Sequence, residues 1–244
     1  MGADGVPRSG EGRMALAARM VALLATLQLG RWAFESLAFC LVSHTLLANE
    51  LVRIASYLLM TAAVLALARR RGVRIGWLPR DGAGGVRMGR GASSALAAFA
   101  LLFAATPFIA GDPADPLVWA ELSCAALATP LLEETLFRGY LWARLEPAFG
   151  AGPRGESQRG GWPLVLATAL LFGLWHLGYA DAVAWRIAQP DIGAAAGLTA
   201  GLASIMAGKV LFGAAIGVVF GALRLRWGTC LPSGILHGIW NTLA

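Results

Sequence analysis

Two adjacent carboxylates, Glu133 and Glu134, stand one helical turn before Arg138 in the segment Leu132-Glu133-Glu134-Thr135-Leu136-Phe137-Arg138. At about 100° per residue on an α-helix, Arg138 falls about 40° from Glu134 and about 140° from Glu133. The arginine can therefore pair with Glu134, in the favoured acid-before-base order, while Glu133 points elsewhere. An unpaired carboxylate in apolar surroundings can exchange protons near neutrality, which is what a general base needs. Further along, Phe172-Gly173-Leu174-Trp175-His176 places an imidazole one turn after a phenylalanine, and His237 and Asn241 share a helix face at i, i+4. Each group also has an ordinary reading. A lone histidine on an apolar helix is commonly a packing residue, and a histidine with an amide can bridge two helices by hydrogen bonds. Packing alone gives no reason to place two carboxylates, an arginine, two histidines and an amide on three separate hydrophobic segments. The remaining histidine, His44, belongs to no such constellation and reads as structural or interfacial.

The elements that must position these groups are transmembrane. Of 244 residues, 57% are hydrophobic and 14% charged, about half of the roughly 25% charge expected in a soluble domain. That hydrophobicity excludes disorder. Nucleic acid is excluded as a partner, because the arginines punctuate long apolar runs and do not form a basic face. Cys40, Cys124 and Cys230 are scattered in apolar surroundings, so they suggest neither a disulfide framework nor a zinc ribbon.

With about 20 apolar residues needed per crossing, the sequence predicts an all-α, polytopic transmembrane helix bundle. A polar cytoplasmic tail (1–13) is followed by a single transmembrane domain (14–244). Its spans are expected near Met20–Ala48, Ile54–Ala68, Ser94–Ala110, from Leu117 through the Glu133 segment, Trp162–Tyr179, within Gly193–Leu223, and from Gly228 onward. The count is seven spans, with eight as the alternative because the sixth region is long. The run after Arg13 and Arg19 lacks a small-x-small cleavage site and reads as a retained first span. No internal repeat is present, and residues 150–161 read as a flexible linker.

Arginines collect at Arg8, Arg13 and Arg19, between Arg69 and Arg90, at Arg144, Arg154 and Arg159, and at Arg224 and Arg226. In a seven-span count all of these fall on one side, which the positive-inside rule makes cytoplasmic, with the N-terminus inside. Arg31 and Glu35, at i, i+4 within the first span, are expected to neutralise each other. Gly213, Gly217 and Gly221, and likewise Gly197 and Gly201, recur every four residues, a stripe that lets two helix backbones approach closely in lipid.

Glu133-Glu134-x-x-x-Arg138, Phe172-x-x-x-His176 and His237-x-x-x-Asn241 together resemble the three ordered motifs of the CPBP family, the CAAX prenyl proteases and bacteriocin-processing enzymes also called Abi. The similarity covers residues 117–244, the family-like catalytic region, and the first 110 residues carry nothing specific to it. The resemblance implies an intramembrane endopeptidase of the bacterial plasma (inner) membrane. Its substrate would be a membrane-embedded or lipidated peptide or protein, reached laterally between helices, with the glycine faces of the sixth span as one gap.

In the favoured reading Glu133 and His176 polarise a water. His237 and Asn241 donate to the oxyanion, at about 2.7 to 4 kcal/mol per donor, and Glu134 with Arg138 braces the site. No serine or cysteine nucleophile and no cofactor is needed. The alternative chemistry is a zinc site of His176, His237 and one of Glu133 or Glu134, although no His-Glu-x-x-His pair is present and Asn241 is a poor zinc ligand. Two other function classes remain as expectations: a proton- or ion-coupled transporter, for which Arg31 and Glu35 would extend the relay, and a non-catalytic immunity or scaffold protein of the same fold.

Overall fold

The computed structural model describes residues 12–77, 90–149, 161–188 and 201–243, and within them the chain is helical with no strand. In chain order the helices are α1 (Arg13–Phe39), α2 (Leu46–Arg70), α3 (Arg90–Ala110), α4 (Pro116–Ser123), α5 (Thr129–Glu133) and α6 (Trp142–Phe149). They continue with α7 (Trp162–Trp175), α8 (Ala180–Ile187), α9 (Leu202–Trp227) and α10 (Leu231–Leu243). The segments α4, α5 and α6 form one continuous stretch, joined by π-helical turns at Cys124–Ala128 and Glu134–Leu141. A 3₁₀ turn, His176–Tyr179, likewise carries α7 into α8.

Local chemistry sets the ends of these helices. Thr45 caps α2 by accepting from the Ala48 amide at 3.1 Å, and Asp115 caps α4 by accepting from Leu117 at 2.8 Å ahead of Pro116 at the first helical position. Gly228 stops α9 at φ 70°, a left-handed conformation that glycine takes without strain.

Among the described residues, five helices are long and apolar enough to cross a membrane: Met14–Phe39, Leu46–Arg70, Gly91–Ile109, Trp162–Ile187 and Leu202–Trp227. Their outward surfaces are apolar, with Leu29, Trp32, Leu58, Leu101, Leu170 and Leu211 exposed, while Arg31, Glu50, Glu133, Glu134 and Arg138 are buried. That distribution suits lipid outside and polar pairing inside.

Several expected boundaries move. The first apolar run ends as a helix at Phe39, and residues 46–48 belong to α2, because the Thr45 cap interrupts a stretch that hydropathy alone reads as continuous. The fifth runs past Tyr179 to Ile187, so His176 sits where α-helix gives way to the 3₁₀ turn and not within a regular helix. The sixth is described from Leu202 and extends to Trp227.

The glycine stripe is a packing face, closed by α7. A Cβ on Gly217 would meet Ala169 at 3.1 Å and one on Gly221 would meet Val165 at 3.0 Å, so this face offers no lateral gap. The polar tail through residue 11, residues 150–160 of the expected linker, and Gly197 lie outside the described residues.

Candidate active site

The site forms at mid-height in the bundle, where the continuous α4–α6 stretch meets α7 and α10. Glu133 ends α5 and Glu134 opens the second π-helical segment. Single turns of this wider helix are rare and are commonly found at functional sites. Glu134 and Arg138 are both fully buried. Arg138 Nη1 lies 3.3 Å from Glu134 Oε1 without hydrogen-bond alignment, and Nη2 donates to the Gly217 carbonyl at 3.1 Å. Its guanidinium also faces the Phe172 and Phe220 rings at 4.4 and 5.1 Å, contacts that suit a cation out of water.

Glu134 is further fixed from α10. Ser233 Oγ donates to its Oε2 at 2.5 Å and His237 Nδ1 lies 3.2 Å from its Oε1. The other ring nitrogen of His237, Nε2, sits 3.6 Å from Glu133 Oε2. The imidazole therefore stands between the two carboxylates.

The expectation of an unpaired Glu133 is corrected. Its Oε1 accepts from Trp175 Nε1 at 3.0 Å and from Tyr179 Oη at 3.0 Å. Both donors are neutral and both come from the α7 side, out of reach of a projection that considers one helix. Trp175 and Tyr179 carried a signal that could have found them: polar-tipped aromatics one turn apart in an apolar span need hydrogen-bond partners. Ser233 had no comparable signal.

His176 Nδ1 lies 2.8 Å from the Phe172 carbonyl, an arrangement that holds the ring and leaves Nε2 for other partners. The backbone of α9 presses against the same ring, since a Cβ on Gly213 would come within 2.7 Å of Nδ1. Asn241 Nδ2 donates to the Ala125 carbonyl at 2.9 Å. That carbonyl belongs to the first π-helical segment. An amide nitrogen carries two hydrogens, so one remains.

Glu133, His176, His237 and Asn241 all line one cavity of about 440 Å³, together with Arg53, Tyr57, Arg186 and Lys209. Glu134 and Arg138 lie behind its wall. His44 is elsewhere, stacked between Phe39 and Trp185. Among the described residues, no three His, Cys, Asp or Glu side chains are grouped to hold one metal ion.

The first span also reaches the site. Arg31 binds Glu35 at 2.5 Å as the spacing predicts, and in addition the Gly178 carbonyl at 2.6 Å and Asp181 at 2.7 Å, while lying 5.6 Å over the Tyr179 ring. Gln28 Nε2 donates to the Trp175 carbonyl at 3.2 Å. α1 thus grips the turn that supplies both donors to Glu133.

A family model described as type II CAAX prenyl endopeptidase Rce1-like matches residues 115–243, just over half of the chain. No curated protein and no solved structure matches the chain.

Proposed function

The chain belongs to the type II CAAX prenyl endopeptidase Rce1-like family, and from that premise we propose that it hydrolyses a peptide bond of a membrane-embedded or lipidated substrate with a Glu133-activated water. The observation that carries this reading is the convergence of Glu133, His176, His237 and Asn241, from three separate helical stretches, on one cavity. Trp175 and Tyr179 hold Oε1 of Glu133, which leaves Oε2 for a water whose second contact is Nε2 of His176. Glu133 takes a proton as the water oxygen bonds to the scissile carbonyl carbon. The oxyanion accepts from the free hydrogen of the Asn241 amide and from His237, whose ring Glu134 positions. The C–N bond then breaks and Glu133 returns the proton to the departing amine. Glu134 and Arg138 fix His237 and the helix that carries Glu133.

In this reading the α4–α6 stretch and α10 add two crossings to the five long apolar helices, for seven in all. The protein is then a multi-pass protein of the bacterial plasma membrane, with its N-terminus and arginine-rich loops in the cytoplasm.

The test compares membrane proteomes of cells making the native chain or Glu133→Gln. New peptide termini present with the native chain and lost in the variant are expected, and identical proteomes would sink the endopeptidase reading. Processing that survives exhaustive chelation supports the metal-free mechanism, whereas loss restored by zinc supports His176, His237 and a glutamate as ligands.

A further inference from the structure

Arginine placement and cavity placement are independent properties of this bundle, and they point to opposite ends of it. The helices alternate in direction, so their ends sort into two sets. One set gathers the start of α1 at Arg13, the end of α2 with Arg69, Arg70 and Arg71, and the end of α9 with Arg224 and Arg226. The described turn after α2 adds Arg74 at this end, and α6 adds Arg144. The described connections of the opposite set, residues 40–45 and 111–115, contain no lysine or arginine.

The cavity is built from this second set of ends. Arg53 lies in the first third of α2, Ala182, Val183 and Arg186 lie on α8, Lys209 lies early in α9, and Asn241 lies near the end of α10. Towards the arginine-rich end, the bundle beyond Glu134 is filled. Phe137, Arg138, Leu141, Leu164 and Phe220 are all fully buried there. Water and substrate therefore reach Glu133 from the arginine-poor end.

Among the described residues, four basic groups towards that end run against the pattern: Arg31, Arg53, Arg186 and Lys209. Three are neutralised: Arg31 binds Glu35 at 2.5 Å and Asp181 at 2.7 Å, Arg53 binds Glu50 at 3.1 Å, and Arg186 binds Glu50 at 2.9 Å and also Glu121. Lys209 alone is left to count against a cytoplasmic assignment of the other end, where the arginines number many more.

We infer that the catalytic cavity opens on the outer face of the membrane, so that the substrate is a membrane-anchored chain whose scissile segment has been exported. This rests on the endopeptidase reading for the word substrate, but the sidedness stands on geometry and charge. An exported segment need not cross the hydrophobic core to be cut, and the water that cuts it enters from the same side.

Native Cys40, exposed at the end of α1 on the cavity side, is a built-in probe, because Cys124 and Cys230 are buried. In the connecting turn after α9, burial pushes the Cys230 thiol up to about 12, which keeps it unreactive. Intact spheroplasts making the full chain are treated with a membrane-impermeant maleimide, before and after permeabilisation. Two reporters are added in a Cys40→Ser background: Ala182→Cys on the cavity wall and Arg71→Cys at the opposite end.

The expected result is labelling of Cys40 and of Ala182→Cys before permeabilisation, and of Arg71→Cys only afterwards. The reverse pattern overturns the inference, and so does an Ala182→Cys chain that stays unlabelled in both conditions while Cys40 reacts. None of these readouts needs cleavage. Failure of the endopeptidase reading, seen as an unchanged proteome with Glu133→Gln, is therefore distinguishable from failure of the sidedness.

Discussion

The Tyr179 hydroxyl donates to Glu133 Oε1 at 3.0 Å, across a boundary between two helical stretches separated by 46 positions in the chain. Trp175 Nε1 donates to the same oxygen and also lies 2.8 Å from the Tyr179 oxygen, so the three groups form a closed triangle. One carboxylate oxygen is thus held by two donors, and the other lies 3.6 Å from His237 Nε2. A hydrogen bond to a charged group contributes about 1.5 to 3 kcal/mol. Tyr179→Phe, which keeps the ring and deletes the donor, is expected to lower kcat about ten- to a hundredfold. The folded state loses the same bond, so Tm should fall as well, and turnover is compared per folded molecule. A variant with native turnover would remove Tyr179 from the mechanism.

Behind that triangle stands Arg31, 2% exposed and bonded to Glu35, Asp181 and the Gly178 carbonyl. It joins a helix outside the family-matched region to the turn that presents Tyr179. Arg31→Met leaves the buried Glu35 carboxylate without its cation, and breaking a buried pair in this one-sided way costs about 3 to 5 kcal/mol. The expected outcome is a clear fall in Tm together with reduced activity. Restoring neutrality with Arg31→Met and Glu35→Gln together should recover part of the Tm and less of the activity, because the contacts to Gly178 and Asp181 stay broken. Full recovery of both by the double variant would show that α1 serves only charge balance.

Which of these features could be read in the chain follows from how each is encoded. Glu133, Glu134, Arg138, His176, His237 and Asn241 are polar residues in apolar spans, so burial makes them conspicuous, and Arg31 and Glu35 announce their pairing by spacing. The contacts of Arg31 with Gly178 and Asp181 depend on which helices are neighbours, and one helix's periodicity holds no information about that. The same holds for the Ser233 bond to Glu134. The two π-helical segments are a change in hydrogen-bond register with no side-chain signature, and the 100° projection treats both as regular α-helix. Hydropathy also misses the Thr45 cap, since the polar turn at residues 43–45 is too short to interrupt a long window.

The glycines of α9 offer a test that separates packing from chemistry. A Cβ at Gly213 would fall 2.7 Å from His176 Nδ1 and 2.8 Å from Cε1, in a place held by a ring already tied to the Phe172 carbonyl. Gly208, one turn and a half earlier on α9, meets nothing within 4 Å. Gly213→Ala is therefore expected to displace His176, with a stability cost of about 1 to 3 kcal/mol from overpacking and a larger loss of activity than that cost explains. Gly208→Ala should leave activity as it is and hold or slightly raise Tm, as expected for alanine in a helix interior. Equal effects of the two substitutions would mean that the His176 ring is not confined by α9.

Asn241 supplies the last measurement, and it probes the proposed oxyanion contact directly. Its amide spends one hydrogen on the Ala125 carbonyl, which fixes the side chain, and presents the other to the cavity. A donor that meets its partner only as charge develops acts on the transition state and barely on substrate binding. Asn241→Ala is accordingly expected to lower kcat by about a hundred- to a thousandfold, the range for loss of one oxyanion donor, with KM little changed. Asn241→Asp keeps the size but replaces the donor with an acceptor that repels the oxyanion, so it should be at least as damaging. If instead KM rises with kcat preserved, the amide binds the ground state of the substrate and the oxyanion depends on His237 alone.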